Sequence, residues 1–225
     1  MRKRLLAVCV AAGALAAANG APAQAATARC TARNAQTIAA TNSARIYATP
    51  LGDGASRIYG CLYSRNRRYL LGNDGDCDPG PVVSRLTLRG RYVAFVETFC
   101  NIDASDDYVA VKDLRTGRNK WRAISATGNR AENGEPSTLV SDIALSPTGS
   151  VAWIADWEAV SGGNSSPQDD RQVRKLEPGA PAGGALLDSG LGIEQRSLAI
   201  GSRSSSGYSR IYWTKDDAPA AAKLN

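Results

Sequence analysis

Three stretches of the chain repeat one pattern at a spacing of 55 to 57 residues. They are Ser84–Gly90 followed by Val93–Val96, Ser141–Gly149 followed by Val151–Ile154, and Ser197–Ile200 followed by Ile211–Thr214. Each holds a short apolar strand, a polar turn and a second apolar strand carrying one large aromatic: Phe95, Trp153 or Trp213. Leu86, Ile143 and Leu198 mark successive copies, and a degenerate first copy begins near Ile38. A repeat of this length in a strand-rich sequence builds a radial array of β-sheets, because each copy buries its apolar face only against the next.

Period-2 alternation of apolar and polar residues recurs every 8 to 12 residues, between turns rich in Gly, Asp, Asn and Pro. It predicts strands at 36–40, 44–49, 56–63, 67–71, 82–89, 91–99, 107–113, 119–125, 138–145, 150–157, 171–176, 184–188, 196–200, 209–214 and 219–224. No stretch after the leader sustains a 3.6-residue apolar period, so the expected class is all-β. The strands group in fours, giving repeats at about 36–72, 82–126, 138–188 and 196–224, the last of them one strand short.

Leu145-Ser-Pro-Thr-Gly-Ser-Val-Ala-Trp153 and Val109-Ala-Val-Lys-Asp-Leu-Arg-Thr-Gly117 carry a closer likeness. They resemble the TolB-type and WD40-like β-propeller repeats, with Thr148 where that pattern usually has Asp. The resemblance covers roughly residues 82–214 and implies a β-propeller-like array of about four antiparallel blades. Two competing geometries are an open, curved stack of sheets and an array that closes only as an oligomer. Such arrays host many unrelated functions, so the likeness speaks to fold and not to activity.

The first 25 residues read as a secretory signal peptide: Arg2, Lys3 and Arg4, an apolar run from Leu5 to Ala17, and the small-x-small site Ala23-Gln-Ala25. Residues 26–225 are then a single domain, secreted or associated with the cell wall, with no membrane span expected. The leader carries three of the net six positive charges, which weakens any case for a nucleic-acid partner. Cys30, Cys61, Cys77 and Cys100 remain, an even number that reads as two disulfides with three pairings open. Proximity in sequence favours Cys30 with Cys61 and Cys77 with Cys100.

The chain contains no histidine, which removes Ser-His-Asp and Cys-His catalysis and the usual His-bearing metal sites. No G-x-S-x-G, S-x-x-K, phosphate loop or H-E-x-x-H is present, and nothing marks a cofactor. No catalytic residue is therefore assigned. Carboxylate chemistry on a glycan needs only two acids close in space, and Asp142, Asp156 and Glu158 sit on or beside repeat strands. Asp74, Asp76 and Asp78 alternate as calcium ligands do in a wrapping loop, and a Cys77–Cys100 bridge would bring Asp103, Asp106 and Asp107 beside them. Against that, Pro79 and Arg85 stand where an EF-hand loop has its glycine and its bidentate glutamate, and a solvated turn accounts for the same residues.

Arg57, Arg65, Arg67 and Arg68 interleave with Tyr59, Tyr63 and Tyr69, a pattern that grips anionic polymers or, more simply, makes a hairpin with a charged tip and a protected edge. Phe95, Trp153 and Trp213 are expected to fill the wedges between sheets. The polar stretch 161–170 reads as a projecting loop, and Asn164-Ser-Ser fits a glycosylation pattern. The expectation is a secreted binding module at the cell envelope whose partner is an unidentified extracellular protein or wall polymer. The alternative is a carboxylate-dependent glycan hydrolase or lyase.

Overall fold

The computed structural model describes residues 30, 32, 34–52, 54–75, 81–100, 105–125, 137–158, 170–181 and 183–225. Fifteen strands appear among them, one for each predicted. The first group is β1 (Gln36–Ala40), β2 (Ala44–Gly52), β3 (Ala55–Leu62) and β4 (Arg67–Asn73). The second is β5 (Val82–Arg89), β6 (Tyr92–Cys100), β7 (Ser105–Asp113) and β8 (Arg118–Ile124). The third is β9 (Ser137–Leu145), β10 (Val151–Glu158), β11 (Asp170–Leu176) and β12 (Ala185–Ser189). The fourth holds β13 (Ala199–Ile200), β14 (Ser209–Lys215) and β15 (Ala218–Leu224).

Within every group, neighbours in sequence are antiparallel neighbours in the sheet. A single parallel pair, Asn73 with Val82, joins the first group to the second, so these eight strands form one continuous sheet. The third and fourth groups are separate sheets of four and three strands. Thus the all-β expectation holds, with the strands in sheets of eight, four and three, the last holding three strands where the other groups have four. Only β13 is much shorter than predicted: Arg196 lies in a turn, and Ser197 and Leu198 are irregular.

Side-chain alternation stacks the groups face to face. Ile46, Ile58, Leu71 and Leu114 enclose Phe95 between the first and second groups. Val96, Val111 and Ala123 meet Trp153 and Leu176 between the second and third. Ile154, Val173 and Ile193 meet Ile211, Trp213 and Leu224 between the third and fourth. Phe95 and Trp153 are fully buried and Trp213 nearly so, each serving the core as expected. Burial of one such ring contributes on the order of 2 to 3 kcal/mol. No buried cluster among the described residues joins the fourth sheet to the first group.

The indole N–H groups fasten the stack as well as filling it. Trp153 Nε1 donates to the Ser125 carbonyl and Trp121 Nε1 to that of Gly149 (2.9 Å), both between the second and third groups. Trp213 Nε1 donates to Asp188 (3.0 Å), between the third and fourth. A buried donor left unpaired costs about 1 to 3 kcal/mol, so these bonds fix how each sheet is seated.

The turn between β9 and β10 explains the Ser-Pro-Thr-Gly run. Gly149 takes φ +80°, and a Cβ there would lie 2.8 Å from the Tyr92 ring. Thr148, in the place of the usual Asp, hydrogen-bonds Ser146 Oγ (2.7 Å) and donates to the Asn225 carbonyl (2.8 Å). The turn is thereby tied to the far end of the chain.

The first strands of the groups lie next to one another: β1 touches β5, β5 touches β9, and β9 touches β13. Each of the first three carries a bulge at a matching place, at Ile38, at Arg85–Leu86 and at Ser141. A bulge bends and twists its strand, which lets successive sheets splay about a common line. At Arg85 the backbone turns left-handed (φ 50°), and its Nε donates to the Val140 carbonyl (3.3 Å).

Candidate functional site

The carboxylates that the sequence points to are engaged in holding sheets together. Asp142, beside the β9 bulge, accepts from its neighbour Ile143 N and from Leu198 N, both at 2.9 Å. Asp156 on β10 accepts from Arg171 Nε (3.0 Å) and Gln195 Nε2 (2.7 Å), and Arg171 continues to the Leu191 and Ile193 carbonyls. Both aspartates therefore anchor residues 191–198, the connection from the third sheet to the fourth. The side chain of Glu158 lies outside the described residues.

Of the six aspartates considered for calcium, two have described side chains. Asp74, just after β4, accepts from Ser56 N at 2.6 Å. Asp107 on β7 is buried and accepts from the Thr98 hydroxyl (2.6 Å) and from Val140 N (3.1 Å), linking β6, β7 and β9. Asp76, Asp78 and Asp103, and the side chain of Asp106, fall outside the described residues, as do Cys77, the side chain of Cys100 and most of the loop 161–170. Among the described residues no group of three or more Asp, Glu or Cys is placed to hold a metal ion.

Several other charged groups in the second to fourth groups are also paired. Glu97 pairs with Arg122 at 2.7 Å, and Asp188 receives Lys215 Nζ at 2.7 Å. Burial pushes the Asp188 carboxyl upward, but bonds from Lys215, Trp213 Nε1 and Ser189 N outweigh it and hold the group below the usual aspartate range. Arg174, buried on β11, donates to Gln172 (2.8 Å) and to the carbonyls of Gly183 (3.1 Å) and Gly184 (3.0 Å), and burial lowers its pKa. Lys112 on β7 donates to the Leu70 carbonyl (3.1 Å); burial lowers its pKa and nearby Glu97 opposes this.

The first group departs from this pattern on the face turned away from the second. Strand pairing sets Tyr47 opposite Tyr59 and Arg45 opposite Cys61, with Arg68 beyond Cys61 and Leu70 beyond Tyr59. Residues 45, 47, 57, 59, 61, 68 and 70 thus share that face, since alternate residues of a strand point the same way. Tyr47 and Tyr59 stack with centroids 5.6 Å apart. The Arg45 guanidinium lies 4.6 Å above Tyr47, and that of Arg68 lies 5.0 Å above Tyr59. The result is a four-membered ladder running across three strands, with cations at its ends.

A disulfide covers one corner of this face. Cys30 bonds Cys61 across 31 residues of sequence, and Ala32 and Ala35 pack with the bridge over Tyr47, which is fully buried. Arg57 and Arg68 stay exposed. The hairpin expected at this place is present: Tyr63–Arg65 forms a 3-10 turn, Asn66 closes it in the left-handed region (φ 51°), and Arg65 and Arg67 are exposed at its tip. Tyr69 faces the other way, its ring against Gly117, with Arg67 5.4 Å above it.

None of Arg45, Arg57, Arg65, Arg67 and Arg68 forms a salt bridge among the described residues. The buried Nε of Arg45 and the Tyr47 hydroxyl have no hydrogen-bond partner there either. Reading the sequence as one linear run from Arg57 to Tyr69 missed Arg45 and Tyr47 and placed Tyr69 with the wrong neighbours. The available signal was the same Arg-x-Tyr alternation on the preceding strand.

No protein-family model matches the chain, and no curated protein matches it. Among solved structures it is similar to the endo-arabinase from Bacteroides thetaiotaomicron, at 14% identity over 85% of this chain and 74% of that one, with a TM-score of 0.32. A likeness of that size carries no argument about activity.

Proposed function

We propose that this protein is a secreted, non-catalytic binding module of the cell envelope, built on a β-propeller-like array of four strand groups. The observation that carries the reading is the arginine–tyrosine ladder on the outward face of the first group. The described side chains of Asp107, Asp142, Asp156 and Asp188 tie strands and sheets together, while the five arginines of the first group have no carboxylate among the described residues. Arg57 and Arg68, exposed on the outward face, are suited to recognition. The repeating strand order, the bulged first strands and the face-to-face cores support the propeller-like arrangement, with the first group and the fourth sheet as its two ends.

The reading is tested by crosslinking capture, with the oxidised protein as bait against the host's envelope and secreted fractions. One protein or wall polymer enriched reproducibly is the expected result. An empty capture, together with turnover in a glycan-hydrolysis screen that Asp142→Asn or Asp156→Asn abolishes without unfolding the chain, would replace the reading with the carboxylate-dependent hydrolase or lyase.

A further inference from the structure

We infer that the outward face of the first group binds a linear polycarboxylate, a polysaccharide bearing uronate groups, along a line of guanidinium groups from Arg68 to Arg57. The inference rests on the binding-module reading and supplies its ligand class and contact residues.

The first argument is charge. Residues 36–75 contain Arg45, Arg57, Arg65, Arg67 and Arg68 against Asp53 and Asp74 alone. Asp74 is engaged by Ser56 N. Of the five arginines, Arg45, Arg57 and Arg68 share the outward face, where like charge disfavours the compact chain by self-repulsion and an anionic ligand relieves it.

The second argument is geometry. A guanidinium lying flat on an aromatic ring keeps its in-plane N–H fork free and loses little further rotamer freedom on binding. The Arg68 guanidinium sits 5.0 Å over the Tyr59 ring, and that of Arg45 sits 4.6 Å over Tyr47 with its Nε buried. Both rings are occupied by stacking, so the tyrosines position the cations. Arg45 and Arg68 lie on strands either side of β3, about 10 Å apart from strand spacing. Arg57 lies four residues along β3 from Cys61, the partner of Arg68, which is about 13 Å at the rise of a strand. That layout fits a repeating charge on an extended polymer.

The third argument is residue type. All five cations of this region are arginine and none is lysine. Lysine serves as a point charge, whereas the planar fork of arginine matches both oxygens of a carboxylate.

The test is calorimetric titration of the oxidised full chain with polygalacturonate, inorganic polyphosphate and neutral dextran, at low salt and again at high salt. Polygalacturonate should bind, dextran should not, and added salt should weaken the binding. The double variant Arg57→Gln/Arg68→Gln should lose about tenfold in affinity, two exposed contacts at the upper end of what such pairs contribute. Arg57→Lys/Arg68→Lys should recover little of it. The control Arg210→Gln/Lys223→Gln removes the same charge from exposed positions on the fourth sheet and should leave affinity unchanged. Melting curves verify that each variant is folded.

Equal losses in the two Gln variants would reduce the effect to net charge and overturn the inference. Full recovery by lysine would overturn the fork, and binding of polyphosphate alone would overturn the ligand class. If no polymer binds while envelope capture still enriches a partner, the inference falls and the binding-module reading stands. If both assays are empty, both fall.

Discussion

In the third sheet Arg171 meets Asp156 at 3.0 Å and Lys175 pairs with Glu177, while Lys215 of the fourth sheet reaches across to Asp188 of the third. In the first group Arg45 and Arg68 lie on tyrosine rings, and none of the group's arginines has a carboxylate among the described residues. The same residue types thus do two jobs in one repeat architecture. Between the third and fourth sheets, Asp142, Asp156 and Asp188 hold the neighbours in register. In the first group a disulfide and an aromatic stack cover the outward face, and Arg57 and Arg68 are exposed on it. Substitutions in the two regions should therefore separate cleanly, with stability affected at one and binding at the other.

The largest effect is expected at Arg174. Replacement by Ala removes three bonds to Gln172, Gly183 and Gly184 from a nearly buried position. It leaves the Gly183 and Gly184 carbonyls without this donor, a cost of about 3 kcal/mol. Urea denaturation measures it. A loss under about 1 kcal/mol would show that the third sheet does not depend on its cation, and the comparison would break on that side.

Next comes the fastening of the first group. Cys30→Ser with Cys61→Ser reopens a 31-residue loop, worth about 3 kcal/mol in the chain-entropy model. Because the bridge and its alanines cover Tyr47, hydrogen exchange should accelerate in β2 and β3 well before β10 or β11. Uniform acceleration would mean that the bridge stabilises the whole array and not its first group.

Asp188 probes the joint between the third and fourth sheets through pH. Its carboxyl is held below the usual range by Lys215, Trp213 and Ser189 against the opposing effect of burial. A depressed carboxyl stabilises the fold above its unfolded pKa of about 3.9 and loses that contribution as pH falls toward its folded value. Asp188→Ala should cost about 2 kcal/mol at neutral pH, because Trp213 Nε1 and Lys215 lose their acceptor together. It should also flatten the loss of stability below about pH 4. Unchanged acid melting in the variant would remove Asp188 from the account.

How legible this was depends on the range of each interaction. Strands follow from alternation over a few residues, so all fifteen were readable along the chain, as were the buried roles of Phe95, Trp153 and Trp213. The pairing of Cys30 with Cys61 followed from proximity. The use of a carboxylate did not, because it is decided by a partner far away in sequence. Asp142 looks like an acid awaiting a substrate until Leu198 N, 56 residues on, is seen to donate to it. The same holds for Asp156 and Gln195, 39 residues apart. Faces were lost for a related reason. Tyr59 and Tyr69 belong to one basic run, but the hairpin register pairs Tyr59 with Leu70 and Tyr69 with Gly60, which puts the two tyrosines on opposite faces.

The smallest expected effect on stability is the most informative one. Arg57 is exposed and has no salt bridge among the described residues. Arg68 is exposed and lies over a ring, a contact worth about 0.5 to 1 kcal/mol at such a site. Arg57→Gln with Arg68→Gln should therefore change the unfolding free energy by no more than about 1 kcal/mol, measured under the same conditions as Arg174→Ala. A cost several-fold larger would mean that these arginines hold the first group together as their counterparts hold the third sheet. The outward face would then have a structural reason for its charge and no need of a ligand. A near-silent variant leaves the charge of Arg57 and Arg68 without a role in folding, which is what a surface kept for contact with a ligand requires.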